Sequence, residues 1–119
     1  MMKTYLIHPE VFYKYLTSDA PKELDSIEKV FIRAERGKIK LLITEGLFFL
    51  LAQELEKIVK NRSELVDLLE AVLNLHNLKV RNEMVLRQTV LEMKRGKSFV
   101  ESYKSVVLPA LSLDGVIEC

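Results

Sequence analysis

"IKLLITEGLFFLLAQELEKIVK", residues 39–60, is the stretch on which the fold turns. Residues 39–44 are short, aliphatic and preceded by Gly37, which predicts a strand. From Glu45 to Lys60, Leu47, Leu50, Leu51, Leu55 and Ile58 recur at helical spacing, so a helix follows the strand directly. A short buried strand feeding straight into a helix is half of a crossover unit, and crossover units build parallel sheets.

Toward the N-terminus, Leu24, Ile27, Val30, Phe31 and Ala34 mark a helix that Gly37 stops, with Asp19 as its expected cap and Pro21 in its first turn. Before it lie a helix over residues 9–16 and a buried strand end at Tyr5-Leu6-Ile7. Toward the C-terminus, Asn61 and Ser63 punctuate the chain before a helix over 64–75, and "LKV" (78–80) is a brief strand. Asn82 is expected to cap a helix reaching Arg95, where Gly96 ends it. Ser98 opens another helix reaching about Pro109, and "GVIEC" (115–119) reads as a final strand. The order β-α-α-β-α-α-β-α-α-β implies one α/β domain over residues 1–119, with a short parallel sheet covered by helices on both faces.

Composition narrows the function. Of 119 residues, 49% are apolar and 29% charged, a globular balance, and 18 basic against 17 acidic residues leave no net pull toward nucleic acid or membrane. The most apolar run, residues 41–52, contains Glu45 and is too short to span a bilayer, so no membrane partner is expected. A single cysteine, Cys119, and an N-terminus without a long apolar core point to a reducing, cytoplasmic setting.

In parallel sheets ligands bind beyond the carboxyl ends of the strands. His8 to Glu10, Thr44 to Leu50, Arg81 to Glu83 and whatever follows Glu118 are therefore the places to look for chemistry. The residues there also have plain structural readings. His8 before Pro9 favours extended backbone, Pro9 suits a first helical position, and Glu10 favours the positive end of the helix dipole. Ser98 and Glu101 fit a capping box.

Three stretches taken together, "LIHPEVFYKYLTSD" (6–19), "IEKVFIRAERGKIKLLIT" (27–44) and "GKSFVESYKSVVLPAL" (96–111), resemble the PIN-domain family, in particular the small toxin ribonucleases of the VapC type. The resemblance implies a three-layer α/β/α fold and acidic residues at strand ends that hold Mg²⁺ or Mn²⁺. Matched by position, the family's first Asp falls on His8, its helix Glu on Leu50 and a later Asp on Glu101, while its last Asp would lie past Cys119. One of four acidic positions is still acidic. Hard cations need several oxygen ligands, Leu50 offers none, and the imidazole of His8 suits softer metals.

Two functions follow from the resemblance. The first is a PIN-like protein that is catalytically inactive, expects no cofactor, and acts as a binding or regulatory module for an antitoxin-type protein or RNA. The second is an active Mg²⁺- or Mn²⁺-dependent ribonuclease with a rearranged site, in which Glu101 and Glu10 are catalytic and Glu101, Glu10, His8 and Glu45 hold the metal, with Glu54 in reach. The basic groups Arg33, Arg36, Lys38, Lys40 and Lys94, Arg95, Lys97 could meet phosphates, although solvated loop charge explains them too. The wide apolar arcs of the helices from Glu45 and from residue 64 predict a homodimer, with Leu47, Phe48, Phe49, Leu51, Leu65 and Leu69 at its interface.

Overall fold

The computed structural model describes residues 3–17, 21–111, 114, 115 and 117. Its elements are β1 (Lys3–Leu6), α1 (Pro9–Thr17), α2 (Pro21–Glu35), β2 (Ile39–Ile43), α3 (Glu45–Ile58), α4 (Arg62–Leu73), β3 (Leu78–Val80), α5 (Glu83–Met93) and α6 (Phe99–Val107), then a 3₁₀ turn at Leu108–Ala110. Among the described residues the sheet has three parallel strands in the order β1-β2-β3, with β2 central. The expected strand at 115–119 and the expected cap at Asp19 fall largely or wholly outside the described residues.

Local chemistry accounts for the boundaries. Thr44 caps α3 by accepting the Leu47 N–H at 3.2 Å, and Asn61 caps α4 by accepting the Glu64 N–H at 3.0 Å. That cap starts α4 at Arg62, earlier than expected, and places Ser63 inside the helix. Gly37, at φ +73°, turns the chain from α2 into β2, a conformation that glycine adopts without a Cβ penalty. Asn77 holds the same corner by donating its side-chain N–H to the Ala34 carbonyl at 2.9 Å.

The two sheet faces differ. Register pairs Tyr5 with Leu41 and Leu41 with Leu78, and on this face Ile39, Leu41, Ile43, Leu78 and Val80 are buried. The opposite face carries Thr4, Leu6, Lys40, Leu42 and Lys79, of which all but the half-buried Leu42 are exposed. The expected helical cover on both faces is thus found on one face of the described sheet. Topology explains it: a strand order that advances in one direction, with crossovers of the same hand, places both helix pairs on one side, and α1 packs on α3 there. α5 packs on α4 and α6, and α6 reaches α3, so the last two helices join the same layer of contacts. Among the described residues β1 pairs on one side only and all four of its residues are exposed, so the expected burial at Tyr5-Leu6-Ile7 holds for Ile7 alone.

The subunit interface expected on α3 and α4 is corrected at four of its six residues. Phe48, Leu51, Leu65 and Leu69 lie in the chain's own core, and Leu47 and Phe49 are half-buried against it. α3 touches α1, α4 and α6, so most of its wide apolar arc is covered by neighbours within one chain, while Leu50 and Ile58 stay exposed. Phe49 stacks edge-on against Phe99 (centroids 4.8 Å apart) and Tyr103 (5.3 Å).

Candidate functional site

The carboxyl ends of β1, β2 and β3 bring His8, Glu45 and Asn82 to one edge of the sheet. His8 is exposed, and its Nδ1 accepts the Glu10 N–H at 3.2 Å, while its carbonyl accepts the Val11 N–H at 3.0 Å. The imidazole therefore caps α1 as Ser or Asn would, and Pro9 occupies the first helical position behind it. Glu10 turns outward and pairs with Lys14 at 3.3 Å, one helical turn on.

A cleft of about 270 Å³ lies beside this cap, lined by His8, Pro9, Glu10, Tyr13, Leu50, Leu51 and Glu54. It unites His8 and Glu10 with Leu50, the position where the PIN resemblance places a carboxylate. Leu50 is 52% exposed and presents a methyl-lined wall in place of an acid. Glu54 is engaged at the surface by Lys57 at 3.1 Å.

The remaining two candidates, Glu101 and Glu45, do not line this cleft. Glu101 sits in the first turn of α6, where its N–H donates to Ser98 Oγ at 3.2 Å, the serine half of the expected capping box. Its carboxylate meets Lys104 at 3.7 Å in solvent. Glu45, in the first turn of α3, has both oxygens engaged: Asn82 Nδ2 donates to Oε1 at 3.2 Å and the Tyr103 hydroxyl donates to Oε2 at 3.0 Å. Burial, that hydrogen bond and the negative charge of Glu45 together raise the Tyr103 hydroxyl above its ordinary pKa of 10.0.

Asn82 departs from its expected role. It stands before α5 in the left-handed region, at φ 57° and ψ 42°, and makes no side-chain cap; its amide reaches across to Glu45 instead. Sequence reasoning missed this triad, because nothing in the spacing of residues 45, 82 and 103 marks them as neighbours. Two other long-range bonds seat α6: the Phe99 N–H donates to Glu56 Oε2 at 2.9 Å, and Arg62 donates to the Lys97 carbonyl.

Metal fit can be judged from the donors. Among the described residues no three His, Cys, Asp or Glu side chains come together as ligands. One imidazole committed to a helix cap, two surface-paired carboxylates and a leucine wall do not fit Mg²⁺ or Mn²⁺, which need several convergent oxygens.

A larger cleft, about 460 Å³, opens between α1, α2 and α4. Phe12, Tyr15, Phe31, Ile32, Leu68 and Leu75 form its walls, with Glu28, Glu35 and Arg36 at the rim. Tyr15 and Phe31 meet edge-on at 4.9 Å, and Tyr15 and Ile32 remain about two-fifths exposed, at 41% and 40%. No described helix is long and apolar enough to cross a membrane. Set against protein-family models, curated proteins and solved structures, the chain matches none of them.

Proposed function

We propose that the chain is a PIN-like protein of the VapC type that has lost metal-dependent ribonuclease activity and acts as a binding or regulatory module for an antitoxin-type protein. The observation that carries the reading is the state of the sheet end: His8 caps a helix and Leu50 stands where the resemblance calls for an acid. Glu45, the acid best placed beyond β2, accepts hydrogen bonds at both oxygens and braces α3 to α5 and α6. The apolar cleft between α1, α2 and α4 supplies a seat for an apolar segment of the partner. Self-association belongs to the same proposal, through surfaces other than the four core residues Phe48, Leu51, Leu65 and Leu69.

A ribonuclease assay with Mg²⁺ and Mn²⁺, run beside Glu101→Gln, tests it. The expected outcome is no cleavage above background for either protein. Metal-dependent cleavage that Glu101→Gln abolishes sinks the proposal.

One observation favours the competing reading, an active ribonuclease with rearranged acids: His8, Glu10 and Glu54 share a single cleft. It requires calorimetric Mn²⁺ binding that Glu10→Gln or Glu54→Gln weakens, and silence at millimolar ion rejects it.

A further inference from the structure

The open face of the sheet combines apolar and basic side chains and, among the described residues, carries no acid. Register places Leu6, Leu42 and Lys79 in one row across the three strands, and Thr4 beside Lys40 in the next. Leu6 is 60% exposed, and Lys40 and Lys79 are exposed with it. Arg81, two residues past Lys79, is exposed as well. None of these three cations makes an ion pair among the described residues, and the strands "KTYL", "IKLLI" and "LKV" contain no acid. Parallel sheets are normally closed on both faces, because a pleated apolar surface left in water forfeits its burial energy.

Size and charge select the occupant. Strands about 4.8 Å apart and three or four residues long make a patch roughly 10–15 Å on a side, the footprint of two or three turns of one helix. That is far short of the roughly 800 Å² per partner of a stable dimer, and a two-fold mate would set lysine against lysine. Single-stranded RNA is disfavoured, because stacking needs aromatics and the one strand tyrosine, Tyr5, lies on the other face. Leu6 and Leu42, with Lys79 at the end of their row and Lys40 in the next, match an apolar stripe edged by carboxylates.

We propose that this face, built from β1, β2 and β3, is a docking surface for an acidic amphipathic helix supplied by a partner protein. The contact puts the partner's apolar stripe on Leu6 and Leu42 and its carboxylates on Lys40, Lys79 and Arg81. It rests on the sheet alone, so it stands or falls separately from the nuclease-like reading.

The test is an amide-resolved NMR titration of the intact chain with a designed helical peptide of about fifteen residues. The peptide carries leucines spaced three and four apart with glutamates on either side. A scrambled peptide of the same composition and an oligouridine are the comparison probes. The expected result is saturable binding, with shifts concentrated at Thr4, Leu6, Lys40, Leu42 and Lys79. The double variant Lys40→Glu/Lys79→Glu should weaken it by roughly tenfold or more. Leu6→Gln should weaken it several-fold with the circular dichroism unchanged, since Leu6 supports no core. Equal binding of the scrambled peptide, shifts centred on the α1–α2–α4 cleft, or tighter oligouridine binding at the same amides would each overturn the proposal. Nuclear Overhauser contacts from residues 112–119 to Leu6 or Leu42 in the free protein would overturn it too, since the chain would then cover the face itself.

Discussion

At His8 a ring nitrogen that could face a metal instead accepts a backbone N–H, and the consequence is measurable as stability. Truncating a cap costs helices about 0.5–2 kcal/mol, so His8→Ala should lower urea stability within that range, while His8→Asn should restore most of it. Tyr103 offers a sharper case. Its hydroxyl donates to Glu45, so Tyr103→Phe should cost about 1 kcal/mol at neutral pH. The sign of its pH dependence follows from the raised pKa: the protonated form is favoured in the folded state. Its contribution is therefore complete below pH 10.0 and is lost as pH climbs through the higher folded-state value. Alkaline urea melts should show the wild type losing more stability above pH 10.0 than Tyr103→Phe does. Neither role was legible beforehand in equal measure. The helix start at His-Pro-Glu is local and readable, whereas the Glu45–Asn82–Tyr103 contact joins residues up to 58 positions apart.

Among the elements, α3 carries most of the consequence. Its sequence announced a helix and an unusually wide apolar arc, and both are present. What covers that arc could not be read, because an apolar side chain is the same whether its neighbour belongs to its own chain or another. Phe48 and Leu51 proved to be fully buried, and Leu50, between Phe49 and Leu51, is exposed. Phe48→Ala should therefore destabilise the fold by about 3–5 kcal/mol, and Leu50→Gln should change it by less than about 0.5 kcal/mol, as thermal or urea melts can read. Light scattering separates packing from assembly: Phe48→Glu should unfold or aggregate the chain, and a clean, folded monomer from it would restore the interface reading.

For the molecule as a whole, the order of strands governs what is left open. Advancing from β1 through β2 to β3 with helical crossovers gathers the helices around one sheet face and leaves Leu6, Lys40 and Lys79 on the other. Among the metal candidates, His8 and Glu10 share one cleft, Glu45 is engaged by Asn82 and Tyr103, and Glu101 pairs with Lys104.

The amino-acid sequence by itself determined the α/β class, the order of the described strands and α-helices, the parallel sheet and the helix cap at Ser98. These depend on periodicity and on contacts within a few residues, which the linear order contains. Tertiary structure alone decided which apolar arcs are core, which carboxylates have partners and which sheet face is open. Those outcomes depend on crossover direction and on side chains dozens of residues apart, where only the packed chain sets the distance.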